Sequence, residues 1–283
     1  LLKKFWIPMV LLVLAAGLSA MYQYAQEPPA VHRPLSIGHR GSDLGVENTL
    51  EAVKGAIDSG ADFAEVDIQL TKDQVSIAAH DDNLNRMAGR FENINRLTLE
   101  ELQSVSLSQY GLEGQVPTLE ELLSFSKGKI RLLIELKTVS GKERELLVDQ
   151  VLALIEKYDF EEDCILMSLD FDLIHLVRQK NPALKTGCCM FGNLGKTTVE
   201  DLLSLDCDFV VIEENMVSNS FISSCRRAWL PVYVWTVDME ENMRKYLDMG
   251  VNGLISDKPY LVKEVLEDYS FQGIPAGEDY YFS

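Results

Sequence analysis

The sequence predicts an α/β fold, a (β/α)8 barrel of parallel strands, preceded by a membrane-spanning helix. Three observations predict the barrel. Apolar strands alternate with amphipathic helices from residue 35 to residue 268, the signature of parallel α/β construction. Several of those apolar segments end in ionisable residues: Gly38-His39-Arg40-Gly41, Glu65-Val66-Asp67, Ala79-His80-Asp81 and Ile134-Glu135-Leu136-Lys137. A parallel barrel presents reactive side chains in this way, at the mouth of its sheet. Finally, 283 residues fit one barrel of roughly 250 residues with a short appendage better than two domains.

In chain order, Lys3 and Lys4 precede a run, 5–24, without a charged residue. It is long enough to cross a hydrocarbon core of about 30 Å as a helix, with Trp6 at one interface and Tyr22 and Tyr24 at the other. A transmembrane helix over 1–24 is therefore expected. A cleaved signal peptide is the competing expectation, for which Leu18-Ser19-Ala20 is a poor small-x-small site. The two lysines place the N-terminal side in the cytoplasm and the barrel outside the cell. Because the chain opens on Leu1 rather than Met, upstream residues are expected, and the helix can be the last of several. A short stiff linker, 25–34, carries Pro28-Pro29.

Beyond it, strands are expected at 35–39, 63–70, 130–137, 164–168, 184–189, 209–213, 232–236 and 253–256. Helices are expected at 49–59, 119–125, 142–158, 171–180, 199–205, 220–228, 240–249 and 261–268. An additional strand at 75–80 reads as the return arm of a hairpin through Lys72-Asp73-Gln74, bringing His80 over the barrel mouth.

The strand ends carry the chemistry. Side chains on a strand alternate faces, so Glu65 and Asp67 point one way together, and so do Glu135 and Lys137. Paired carboxylates on an inward face repel each other and lose hydration, which a cation offsets. The ligands are oxygens, without clustered histidine or cysteine, so Mg²⁺ or Ca²⁺ suits them, with Mn²⁺ as a further candidate. Arg40 and Lys137 add two fixed cations that favour an anionic substrate, a phosphate above all, which Arg40 can grip bidentately. His39 and His80, with ordinary pKa values of about 6.5, suit general acid and base work near neutral pH. The bland alternative for Glu65 and Asp67 is an internal salt-bridge set with Arg40 and Lys137. Trp235 is either core or an aromatic surface for a substrate's carbon skeleton. His32 and His175 are surface residues by default.

His39-Arg40-Gly41, Glu47-Asn48-Thr49, Glu65-x-Asp67, His80-Asp81, Glu135-x-Lys137, Val234-Trp235-Thr236-Val237 and Ser256-Asp257-Lys258-Pro259 resemble the motifs of glycerophosphodiester phosphodiesterases. They run in that family's order from about residue 35 to about residue 267. The resemblance implies a TIM barrel over 35–269 with a small insertion after the second barrel strand, about 81–117, and a tail at 270–283. It implies one divalent cation held by Glu65, Asp67 and Glu135, and hydrolysis of a glycerophosphodiester to glycerol 3-phosphate and an alcohol. It suggests His39 as base and His80 as acid; spacing does not assign those roles, nor decide between water and the glycerol 2-hydroxyl as nucleophile. Arg40, Lys137, Glu47 and Trp235 would bind substrate, with Glu47 either joining the metal shell or orienting Arg40. Asp238 stands where many relatives have Asn, and 90–114 matches nothing in the pattern, which leaves substrate choice open.

Composition excludes other classes. A formal charge of −18 argues against nucleic acid and against tight docking on anionic lipid. Glycerophosphodiesters or glycerophosphate polymers of an envelope are the expected substrates, near a membrane that the N-terminal helix reaches. A phospholipase on intact lipids and a non-catalytic phosphodiester-binding barrel are the alternatives. Cys164, Cys188, Cys189, Cys207 and Cys225 show no paired metal spacing, and buried reduced thiols are expected.

Overall fold

Strand alternation decides what fills this barrel and what coats it. The structure, a computed structural model, describes residues 33–138, 141–192 and 198–269. Its strands in chain order are β1 (Leu35–Gly38), β2 (Phe63–Leu70), β3 (Ser76–Ala78), β4 (Leu107–Gln109), β5 (Leu112–Gly114), β6 (Arg131–Leu136), β7 (Cys164–Ser168), β8 (Thr186–Met190), β9 (Phe209–Glu213), β10 (Val232–Trp235) and β11 (Gly253–Ser256). Eight of them pair in parallel in the order β1-β11-β10-β9-β8-β7-β6-β2, and β2 returns to pair with β1, closing the barrel. This is the expected TIM fold, and β2, β7, β9 and β11 span the expected residues without adjustment.

Along β2, Ala64, Val66, Ile68 and Leu70 pack outward beneath the helices, while Phe63 points to the axis among Ile37, Leu133, Ile165 and Phe209. The next residues on that inward face are Glu65 and Asp67. In β6 the same alternation sends Leu132, Ile134 and Leu136 outward and Leu133 then Glu135 inward. The barrel is thus apolar at its base and charged at the carboxyl ends of its strands. The register sets Asp67 opposite Glu135, so their carboxylates stand at one height. Truncating a packed outward residue such as Leu132, fully buried, costs about 2–5 kcal/mol.

Helices follow the strands as expected, among them Leu50–Asp58, Glu143–Lys157, Phe171–Lys180 and Glu240–Met249. The return arm is present: β3 runs antiparallel to β2. The insertion holds two short helices, Asn85–Ala88 and Leu99–Gln103, and the β4–β5 hairpin, none of which the sequence reading placed. They close over a small core of their own, including Val46, Ile77, Leu84, Ile94, Leu102 and Val116.

One expectation is corrected. Cys188 and Cys207 form a disulfide, with Cα atoms 6.4 Å apart, while Cys164, Cys189 and Cys225 are buried free thiols. The pairing follows from neighbouring strands: β8 lies beside β9, and Cys207 stands two residues before β9 begins at Phe209. The expected membrane helix, the linker before Arg33 and the tail lie outside the described residues. Among the described residues no helix is long and apolar enough to cross a membrane.

Candidate active site

The first barrel strand turns sharply after Gly38, and that turn aims the first functional groups. Gly41 has φ +94°, and a Cβ there would meet the backbone of Ala52 at 2.5 Å, so only glycine lets the turn pack against the following helix. Arg40 itself sits at φ 49°, in the left-handed region that a bulky residue rarely adopts. This strain aims two donors at the acidic strand ends. The Arg40 backbone N–H donates to Glu65 Oε2 at 2.7 Å, and Arg40 Nε lies 3.5 Å from Asp67 Oδ2.

Glu47-Asn48-Thr49 then acts as a three-part clasp. Asn48, at φ 60°, grips Asp67 at both ends: Nδ2 donates to Asp67 Oδ2 at 2.8 Å, and Oδ1 accepts from the Asp67 backbone N–H at 2.9 Å. Thr49 caps the helix Leu50–Asp58. Glu47 accepts from Arg40 Nη1 at 2.9 Å, from Arg86 Nη1 and Nη2 at 2.6 and 2.5 Å, and from Gln109 Nε2 at 3.0 Å. Four donors occupy its two oxygens, about the capacity of a carboxylate. Of its two expected roles, orienting Arg40 is the one that the geometry supports.

Glu65, Asp67 and Glu135, all buried, offer oxygens that lie within 4.8 Å of one another. Lys137 Nζ reaches Glu135 Oε1 at 3.0 Å and Asp67 Oδ1 at 3.4 Å. The salt-bridge alternative is thus realised for Asp67 and Glu135, but three carboxylates against two cations leave an excess of negative charge. Burial, then the charges of Asp67 and Glu135, push the Glu65 carboxyl well above its ordinary value. Burial, then Asp67, likewise raises Glu135. Asp67 goes the other way: burial opposes its ionisation, but Lys137 and Arg40 outweigh it and hold the group at about 2. A hard divalent cation fits this all-oxygen set, because it removes the repulsion that burial leaves between Glu65, Asp67 and Glu135.

Both histidines face this cluster, each with Nδ1 on an aspartate. His39 Nδ1 lies 2.7 Å from Asp257 Oδ1, and His80 Nδ1 lies 2.8 Å from Asp81 Oδ1. Nε2 is then the nitrogen left for chemistry in both rings. Burial opposes charge on Asp257, but the bond from His39 and its charge keep the carboxyl below its ordinary value. Burial also lowers the pKa of His80, aided by Arg40 and Lys137 against Asp67. One pocket is lined by His39, Arg40, Glu65, Asp67, His80, Glu135, Lys137 and Trp235, together with Met167, Leu169, Cys189 and Ile255. Its wall holds two buried donors without a hydrogen-bond partner, Arg40 Nε and Trp235 Nε1, which an oxygen-rich ligand would satisfy. Phe191 and His39 flank the Trp235 ring, their centroids 6.0 and 6.3 Å away.

Eight of the nine expected site residues therefore meet in one pocket, and Glu47 stands behind Arg40. Sequence reasoning assigned no role to Asp257, Asp81, Asn48, Arg86 or Gln109. Asp257 was within reach: closing an eight-stranded barrel puts the last strand beside the first, and Asp257 follows the last. At the Asp238 departure, Oδ1 accepts from Ser256 Oγ and from the Asp257 backbone N–H at 2.8 and 2.9 Å, bonds that an asparagine oxygen would also make.

Known proteins share this chain's sequence pattern and fold. The model of the glycerophosphoryl diester phosphodiesterase family matches residues 32–261. The chain is 32% identical over 238 residues to the YhdW protein of Bacillus subtilis, across 81% of this chain and 96% of that one. It is 30% identical over 241 residues to the glycerophosphodiester phosphodiesterase of Caldanaerobacter subterraneus subsp. tengcongensis, across 80% and 95%. Its fold matches that of an Oleispira antarctica phosphodiesterase solved with the product sn-glycerol-3-phosphate, at TM-score 0.75 and 23% identity, across 83% and 97% of the two chains. The matched length and the order of the motifs show that the chain belongs to the glycerophosphoryl diester phosphodiesterase family and is a phosphoric diester hydrolase.

Proposed function

We propose that this enzyme hydrolyses glycerophosphodiesters to glycerol 3-phosphate and an alcohol by histidine acid–base chemistry beside one divalent cation. The observation that carries the reading is the convergence of three buried carboxylates, two fixed cations and two aspartate-backed histidines on one pocket. The Oleispira structure, which holds the product sn-glycerol-3-phosphate, supports it.

Glu65, Asp67 and Glu135 would hold the cation, Mg²⁺, Ca²⁺ or Mn²⁺, which when bound supplies positive charge to the phosphoryl oxygens. Arg40 and Lys137 bind the phosphodiester and neutralise the charge that grows on its oxygens in the transition state. Trp235 packs against the glycerol carbons and donates from Nε1. His39 Nε2 takes the proton of the attacking oxygen as it bonds to phosphorus, and Asp257 stabilises the imidazolium that forms; the attacking group is water, or the glycerol 2-hydroxyl in a route whose cyclic phosphate water then opens to glycerol 3-phosphate. His80 Nε2 gives a proton to the alcohol oxygen as its bond to phosphorus breaks.

The direct test is release of glycerol 3-phosphate from glycerophosphocholine by the purified chain. Release should stop in excess chelator and return with Mg²⁺, Ca²⁺ or Mn²⁺; full turnover in chelator would remove the cation from the reading.

The same proposal places the barrel outside the cell, tethered by the N-terminal apolar run, with deacylated phospholipid headgroups or envelope glycerophosphate polymers as substrates. Lys3 and Lys4 ahead of the run support that orientation. Protease added to intact cells should digest the barrel, whereas protection until the membrane is breached would place it inside.

A further inference from the structure

The barrel supplies His39, Arg40 and the acidic cluster, but the support behind His80 comes from elsewhere. Arg86, on the short helix Asn85–Ala88 of the insertion, uses three donors on two carboxylates. Nη1 and Nη2 fork onto Glu47 at 2.6 and 2.5 Å, and Nε donates to Asp81 Oδ2 at 2.7 Å. Each carboxylate continues to a pocket residue: Glu47 to Arg40 at 2.9 Å, and Asp81 to His80 at 2.8 Å.

We propose that Arg86 is a positioning residue that sets His80 through Asp81 and Arg40 through Glu47, so that the insertion completes the reactive geometry of the barrel. The proposal rests on the hydrolase reading above.

Arg86 is 44% exposed, and an exposed ion pair by itself adds little to stability. Its partners are what give it consequence. Glu47 is 12% exposed, and it is further held by Gln109, whose side chain bonds both its carboxylate and its backbone N–H. Among the described residues the Asp81 side chain has no such second clamp: it meets His80 through one oxygen and Arg86 through the other. Without Arg86 the Asp81 carboxylate can rotate, and the His80 ring loses its fixed orientation. Lysine cannot replace the fork, because an ammonium offers a point charge rather than a planar set of donors.

The two arms of the relay separate in kinetics. A misplaced His80 matters when the departing alcohol needs its proton, and much less when the leaving group is stable as an anion. A loosened Arg40 weakens phosphate binding whatever the leaving group. The experiment compares glycerophosphocholine with the p-nitrophenyl diester of glycerol 3-phosphate, in the wild type, Arg86→Gln, Arg86→Lys and Gln109→Ala. For Arg86→Gln, kcat on glycerophosphocholine should fall by about tenfold to a hundredfold, the scale of a misplaced catalytic group. On the p-nitrophenyl ester kcat should hold within about threefold, while KM rises on both esters. Arg86→Lys should fall between wild type and Arg86→Gln on the alkyl ester, and it carries the test if Arg86→Gln fails to fold. Gln109→Ala should raise KM on both esters without a leaving-group dependence in kcat. Equal kcat losses on the two esters, or none, would overturn the proposal. A wild type inert on both esters would overturn the hydrolase reading, and this proposal with it.

Discussion

The two histidine–aspartate pairs look alike at the pocket and are built differently behind it. His39 and Asp257 directly follow two adjacent parallel strands, β1 and β11. The His39 backbone N–H donates to Ser256 O at 2.8 Å, and Asp238 pins both Ser256 and Asp257. His80 and Asp81 are neighbours in sequence just past a hairpin arm, and Asp81 is fixed by an arginine of the insertion. The barrel ladder therefore makes one pair rigid, whereas the other depends on a segment with its own small core. In the proposed reaction the two proton transfers would thus be divided between the barrel itself and a segment attached to it.

The largest effects should come from the rings themselves. His39→Ala and His80→Ala should each lower turnover by at least about a hundredfold, the lower range for losing general acid–base catalysis. Acting as a pair, they should be non-additive, with the double variant little worse than either single one. Fully multiplicative losses, measured as glycerol 3-phosphate release, would mean that one histidine only positions substrate.

Smaller losses should separate the supports. Asp257→Asn and Asp81→Asn each remove the charge that faces an imidazolium, and each should cost about tenfold in kcat, less than loss of a ring. If the attached pair serves the leaving group, only the Asp81→Asn loss shrinks on a p-nitrophenyl ester. Loss of that distinction would erase the contrast between the pairs. Asp238→Asn keeps the accepting oxygen and should change kcat within about twofold, since surface-like isosteric changes are usually within about 0.5 kcal/mol.

The acidic cluster offers a test of sign in stability. Glu65 and Glu135 have carboxyls raised above an ordinary value of 4.5, so without cation the folded state binds more protons than the unfolded one. Their contribution is fully present below that value and fades as pH rises through the raised folded values. Asp67 is opposite: its contribution is present above its ordinary 3.8 and is lost as pH falls towards about 2. A divalent cation competes with the protons on Glu65 and Glu135, so its stabilisation should grow with pH. Thermal unfolding in chelator and in Ca²⁺ or Mg²⁺ should show a larger cation-induced shift at about pH 8 than at about pH 5. An equal shift at both would detach the cation from these carboxylates.

Periodicity and strand ends went far in this chain. The strands of the barrel were readable because each is apolar on a period that a core demands, and their ionisable ends marked the mouth. The Glu65-x-Asp67 and Glu135-x-Lys137 spacings told which side chains share a face, as they do in β2 and β6. The insertion was not readable in the same way, since four- and five-residue helices give too few turns for a period. One local signal did exist: Thr98-x-x-Glu101 is a capping box, and it starts the helix Leu99–Gln103. Long-range partners were the other gap. Arg86 meets Glu47 across 39 residues and Asp257 meets His39 across 218, contacts that no local pattern encodes. The Cys188–Cys207 bond has the same origin, in strand adjacency rather than in spacing.

The central claim is that one pocket holds cation, phosphoryl group and both histidines together. Diffraction from crystals grown with Mn²⁺ and glycerol 3-phosphate, read at the manganese absorption edge, tests it most directly. The account predicts a single anomalous peak bounded by Glu65, Asp67 and Glu135, with the phosphate against Arg40 and Lys137 and within reach of His39 and His80. A manganese peak away from those carboxylates, or a phosphate bound outside that pocket, would contradict it.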